Sequence, residues 1–271
     1  MNKAFVKILS TLFPNQVANF AYKQLTNPQV RKLRPTELKV LDKAEKENFQ
    51  FKDFDIQTYK WQGDVEKILL IHGWEGQAGN FADLIEKLIE QNYTVFAFDG
   101  PSHGFSSKGR TSLFEFTELV GILIRKFGVS KLVSHSFGGV ATTFALFNNL
   151  DLMIDKYVLL TTPDKFLERI EDVSEQVGIT ENVKNKLINR LEKETSLDIK
   201  NLGVSEFVKV INVAKSLIIH DTKDTVIPIN RSRNVYNNWK VCEFLEIEGT
   251  GHFRILRTKS VLDKTLAFLN A

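Results

Sequence analysis

The sequence predicts an α/β fold in which a mostly parallel central sheet carries helices on both faces and a helical insertion. Three patterns predict it. Short apolar runs alternate with amphipathic helical stretches from about residue 67 to the end, as parallel strands joined by crossover helices require. Each of the five histidines falls at or just after the end of one of those runs. One interval of roughly fifty residues is far longer than an ordinary crossover connection.

Residues 1–48 form an N-terminal helical region. Its first part carries an amphipathic stripe, Phe5, Leu9, Leu12 and Phe13, which could dock on the core, on another subunit or on a bilayer surface. Docking on the core or a subunit is favoured, and peripheral membrane contact is not. Lys7 interrupts the apolar run and Pro14 follows soon after, so the segment does not fit an export signal. Arg31 to Asn48 is polar and charged and reads as helix plus connector. Phe49 and Phe51, then Phe54 and Ile56, alternate with polar residues around Lys52-Asp53 and predict antiparallel strands.

The strands that follow are predicted at Lys67 to Ile71, Thr94 to Phe98, Lys131 to Ser134, Lys156 to Thr161, Ser216 to Ile219 and Glu243 to Ile247. Helices are predicted at about Gly79 to Gln91, Ser112 to Phe127, Phe137 to Asn149, Arg231 to Asn238 and Ile255 to Leu269. The core therefore comprises residues 49–162 and 213–271, interrupted by 163–212. In that insertion Phe166, Ile170, Val173 and Val177 share one helical face, and Val183, Leu187 and Leu191 another. Two or three helices packed as a cap fit the pattern.

Composition bounds the function. The 271 residues are 43% apolar and 25% charged, enough for one sizeable core. The net charge is only +3, so nucleic acid is not an implied partner. A single cysteine, Cys242, excludes an intrachain disulfide and leaves the cytoplasm as the default location. No metal-ligand spacing and no glycine-rich phosphate loop occurs, so neither zinc nor a nucleotide cofactor is implied.

The chemistry gathers where ligands gather in an open parallel sheet, at the carboxyl ends of the strands. The strand ending at Val133 leads into Ser134-His135-Ser136-Phe137-Gly138-Gly139 and then a helical pattern. A serine hydroxyl is a weak nucleophile, and a sharp strand-to-helix turn both projects it and aims the helix's free N–H groups at it. This elbow, the His72-Gly73-Trp74 stretch and the order Ser, Asp, His resemble the α/β-hydrolase superfamily over about Phe54 to Ala271. Ser134 departs from the usual pattern, which has glycine there.

The resemblance implies roles. Ser136 becomes the nucleophile. The base must follow the acid near the chain's end, and His252 in Gly249-Thr250-Gly251-His252-Phe253 fits that place. The acid loop His220 to Pro228 offers Asp221 and Asp224. Asp224 resembles the family position, whereas Asp221 is expected to hold its own loop by accepting backbone N–H groups. The backbone N–H groups of Trp74 and Phe137 are the implied oxyanion donors. Trp74 and His135 are the candidate substrate contacts. Asp99 to Ser106 resembles a structural turn of the superfamily, with His103 a loop-stabilising residue. The implied activity is hydrolysis of a carboxylic ester, of an apolar acyl group, through an acyl-enzyme, with a small molecule as substrate. Thioester, amide or peptide hydrolysis, other chemistry on the same scaffold and a non-catalytic ligand-binding role remain alternatives.

Overall fold

The computed structural model describes residues 2–30, 32–195 and 198–271. The strands are β1 (Glu45–Phe51), β2 (Phe54–Trp61), β3 (Lys67–Ile71), β4 (Thr94–Phe98), β5 (Lys131–His135), β6 (Ile154–Leu160), β7 (Val213–Asp221) and β8 (Cys242–Ile247). They form one sheet in the order β1-β2-β4-β3-β5-β6-β7-β8. β1, β2 and β4 pair antiparallel. All the other pairings are parallel.

The helices in chain order are α1 (Lys3–Leu12), α2 (Pro14–Thr26), α3 (Pro35–Asp42), α4 (Ala82–Glu90), α5 (Leu113–Phe127), α6 (Phe137–Phe147), α7 (Phe166–Val177), α8 (Glu181–Thr195), α9 (Val204–Phe207), α10 (Ile229–Asn237), α11 (Gly251–Arg254) and α12 (Lys259–Asn270). Local chemistry sets several ends. Ser112 caps α5 by accepting from the Glu115 N–H, and Gly128 stops it in the left-handed region at φ 60°. The single helix expected over Ile255 to Leu269 is instead a 3-10 turn, Ile255–Arg257, and then α12, with extended Thr258 between them.

Successive strand residues face opposite sides, so the sheet divides two cores. In β3, Leu69 and Ile71 pack with α5 and α6, whereas Ile68 and Leu70 pack with α4 and α12. The central strands are apolar on both faces, which is why they are legible as continuous runs. β1 differs. It begins at Glu45, inside the stretch expected to be helix plus connector, and Glu45 to Asn48 are all exposed. A charged edge strand facing water leaves no apolar alternation to detect.

The N-terminal helices separate. α3 joins the sheet through Val40 and Leu41, and Trp61 donates its indole N–H to the Val40 carbonyl at 3.1 Å. α2 instead packs into the insertion, where Ala21 and Tyr22 share a core with Ile170, Leu187 and Leu191. The two ends of the insertion meet in a bridge between Lys165 and Gly203. Asp164 fastens that junction by accepting from the Ser205 N–H at 2.8 Å and from the Asn234 side chain at 2.5 Å. Arg231 of α10 reaches Glu168 of α7 at 2.6 Å, tying the insertion to the core. No helix among the described residues is long and apolar enough to cross a membrane.

Candidate active site

Ser136 stands between β5 and α6 with φ 51° and ψ −123°, a conformation that residues other than glycine rarely adopt. Such strain costs about 1–3 kcal/mol and persists only where the surroundings enforce it. Here its N–H donates to the Leu160 carbonyl at 3.0 Å, and its own carbonyl accepts from the Gly139 N–H at 2.8 Å. A Cβ at Gly138 would lie 2.5 Å from the His72 oxygen and 2.6 Å from the Ile71 oxygen, so only glycine lets α6 come this close to the end of β3. Ser134, the departure from glycine, is accommodated because its hydroxyl bonds the Tyr157 hydroxyl at 2.9 Å, which in turn donates to the Gly139 carbonyl at 3.2 Å.

His252 and Asp224 come together. The Nδ1 of His252 lies 2.9 Å from Asp224 Oδ2. An ionised carboxylate can only accept, so Nδ1 carries the proton and Nε2 keeps its lone pair. The other carboxylate oxygen accepts from the Val226 N–H at 2.7 Å and the Ile227 N–H at 2.9 Å. Burial pushes the Asp224 carboxyl up. The hydrogen bond and charge of His252 and those two N–H groups more than offset it, holding it below the usual carboxylate range. Among the described residues no hydrogen bond joins Ser136 to His252, but both line one cavity. Catalytic hydrogen bonds of this kind commonly tighten only with substrate present.

Asp221 holds its loop as expected, and holds more than that. One oxygen accepts from the Lys223 N–H at 2.7 Å. The other accepts from the Thr250 N–H, from the Thr250 hydroxyl at 2.8 Å and from the Gly251 N–H at 2.7 Å. Burial raises its pKa, and these four bonds outweigh it and lower it. Asp221 therefore sets the loop that carries His252, whereas Asp224 meets the imidazole itself.

Trp74 and Phe137 both line the cavity, with ring centroids 5.1 Å apart. Neither backbone N–H is taken by an acceptor of the chain among the described residues. The loop that carries Trp74 is braced by two buried histidines. His72 donates Nδ1–H to the Gly73 carbonyl at 2.7 Å and accepts at Nε2 from the Gly100 N–H at 2.9 Å. His103 donates Nδ1–H to the Pro101 carbonyl at 2.9 Å and accepts from the Glu75 N–H at 3.2 Å. Asp99, fully buried, accepts from Tyr59, Ala78 and Phe105.

His135 is corrected. As a substrate contact it would have to face the cavity, but it is 5% exposed, does not line the cavity, and donates its Nε2–H to the His252 carbonyl at 2.9 Å. Its ring packs against the His252 ring, centroids 4.9 Å apart. Burial, with the neighbouring His252 second, lowers its pKa to about 3. His220, also buried, binds the Ile227 carbonyl at 2.9 Å and so braces the acid loop, and burial lowers its pKa too.

The cavity, ≈ 880 Å³, is in the size range of small-molecule sites. Ser136, Trp74 and His252 line it, and Phe166, Ile170, Val173 and Val177 of α7 supply an apolar wall. Its other wall escaped sequence reasoning: Val6, Leu9, Phe13, Val17 and Phe20 of α1 and α2. The expected stripe is split, with Leu9 and Phe13 lining the cavity while Phe5 and Leu12 lie on the surface. The absence of any acidic residue before Glu37 was the available signal that this segment differs from the rest.

The family model described as alpha/beta hydrolase fold matches residues 67–178. A comparison with curated protein sequences found no match. Among solved structures the chain is similar to a bacterial membrane phospholipase A at 16% identity, over 98% of this chain and 94% of that one, with a TM-score of 0.67. It is similar to Est1E of Butyrivibrio proteoclasticus, solved with ferulic acid, at 17% identity over 83% and 100% of the two chains, with a TM-score of 0.66. It is also similar to an esterase of Pyrococcus furiosus at 16% identity over 91% and 98%, with a TM-score of 0.66. At such identities the likeness is one of fold.

Two outcomes are expected from this geometry. Gly138→Ala should lower the urea midpoint, by about 1–3 kcal/mol of stability, because the added methyl overpacks against the backbone of β3; an unchanged midpoint would refute the close approach. The unfolded chain takes up a proton at His135 below about pH 6.5, and the folded chain takes it up only near pH 3. Stability from this group is thus complete above pH 6.5 and falls toward pH 3 by ~1.4 kcal/mol per pH unit. His135→Gln should flatten the pH dependence of unfolding between pH 6 and 4 by about one proton, measured in urea titrations.

Proposed function

Because the chain has the α/β-hydrolase fold, we propose that it is a serine hydrolase that cleaves carboxylic esters through an acyl-enzyme. The observation that carries this reading is that His252, bonded to the buried Asp224, lines the same apolar cavity as the strained Ser136. His252 Nε2 takes the proton of the Ser136 hydroxyl as the oxygen attacks the ester carbonyl carbon. Asp224, ionised at neutral pH, holds Nδ1–H and stabilises the imidazolium that forms. Negative charge on the former carbonyl oxygen is met by the Trp74 and Phe137 N–H groups, the latter at the start of α6.

Collapse of this intermediate breaks the ester C–O bond, and His252 returns its proton to the departing alkoxide. A water, deprotonated by the same nitrogen, then attacks the acyl carbon and frees the acid and Ser136. The apolar wall from α7 and the N-terminal helices supports an acyl group of several carbons as substrate. The esterase structures of the same fold agree with an ester bond.

Rates on p-nitrophenyl esters of rising acyl length test the reading. Wild type should gain kcat/KM from acetate toward medium chains, as each buried methylene adds about 0.8 kcal/mol until the cavity is filled. His252→Ala and Asp224→Asn should each cut kcat by about three to four orders of magnitude. Asp221→Asn should cost mainly stability, about 1–3 kcal/mol, because it unpairs N–H groups rather than the imidazole. Equal kcat losses in the two aspartate variants would overturn the assignment of Asp224.

A further inference from the structure

We infer that the outer face of α1 seats the protein on an anionic lipid surface, with the α1–α2 hairpin standing between that surface and the cavity. α1 presents two apolar faces. Val6 is buried and Leu9 half-buried on the cavity side, whereas Phe5, Ile8 and Leu12, spaced three and four residues apart, are 54%, 56% and 65% exposed. Three large apolar side chains on one exposed helical face form a patch of the kind that marks an interaction surface. Phe13 and Phe20 are half exposed and also line the cavity, so the patch runs without interruption into the pocket that holds Ser136.

Charge says what covers this face. Lys3, Lys7, Lys23, Arg31, Lys32 and Arg34 lie before residue 37, and that stretch contains no Asp or Glu. The other 30 Lys and Arg are outnumbered by 33 Asp and Glu, so the chain's positive charge is segregated onto the segment that carries the apolar patch. Lys3 and Lys7 are exposed on α1 itself. An amphipathic helix with an apolar outer face, flanking lysines and no acid is suited to the interface of a bilayer rich in anionic lipid. A second copy would bring its own Lys3 and Lys7 against those of this helix, and like charges disfavour that pairing.

The inference deepens the ester-hydrolase reading only in giving the cavity an apolar route to its substrate, and it can be tested apart from it. Full-length protein is sedimented with vesicles of phosphatidylcholine alone and of equal parts phosphatidylcholine and phosphatidylglycerol. Wild type should bind the anionic vesicles, and salt near 1 M should weaken that binding. The combined variant Phe5→Ser, Ile8→Ser, Leu12→Ser should bind at least about tenfold less, and Lys3→Gln with Lys7→Gln about tenfold less. Both variants should hydrolyse a soluble short-chain ester at the wild-type rate, since none of these five side chains lines the cavity. The inference is overturned if wild type ignores the anionic vesicles, if it binds neutral vesicles equally, or if the apolar variant binds as wild type does. It is also overturned if wild type is a dimer without vesicle affinity that the apolar variant dissociates. Vesicle binding without turnover of any ester would sink the proposed function and leave the docking surface standing.

Discussion

The approach of α6 to the end of β3 governs the rest of the site. With a hydrogen at position 138 the helix can start immediately after β5, and the chain must then turn within Ser136, which is why that residue is held at a positive φ. The same contact brings the loop after β3 against the elbow: a Cβ at Gly73 would lie 3.2 Å from the Ser136 Cβ. Two loops from different strands thus bring Trp74 and Phe137 side by side at the cavity, their ring centroids 5.1 Å apart. The strain is sustained because the Ser136 N–H and carbonyl are both satisfied, by Leu160 and Gly139.

A second constraint is the satisfaction of polar groups where parallel strands end. Backbone groups leaving a sheet into buried loops need partners, and four histidines supply them: His72 and His103 beneath the Trp74 loop, His220 in the acid loop and His135 under His252. Burial lowers the pKa of all four, so they act as neutral struts with one donor and one acceptor nitrogen. His252 differs in that one nitrogen meets Asp224 while its side chain reaches the cavity. Clustering of histidines at one sheet edge therefore has two physical sources, a single candidate base and the scaffolding around it.

Much of the sheet was legible because central parallel strands are apolar on both faces. β3 and β4 coincide with their expected limits, and the antiparallel turn at Lys52-Asp53 is where alternation put it. Residue type and chain order singled out Asp224 and His252, which the fold brings to 2.9 Å, and Ser136, which lines the same cavity as His252. What stayed hidden depends on direction rather than type. The sequence does not say that His135 is buried against His252 while its neighbour Ser136 lines the cavity. Nor does it say that Asp221 clamps the loop of His252 across the chain, since its partners there are backbone N–H groups, which every residue carries. The N-terminal stripe was seen as one face, yet the fold uses two, because the cavity lies on one side of α1 and the surface on the other. β1 began earlier than periodicity could show, its first four residues being charged or polar and exposed.

The central claim is that Ser136 is a nucleophile activated by its surroundings, and covalent trapping addresses it most directly. Wild-type protein incubated with a fluorophosphonate, then digested and mapped by mass spectrometry, should carry the phosphonyl group on Ser136. Labelling should disappear in Ser136→Ala and fall sharply in His252→Ala. Modification of a different residue, or none in a folded sample, would contradict the account.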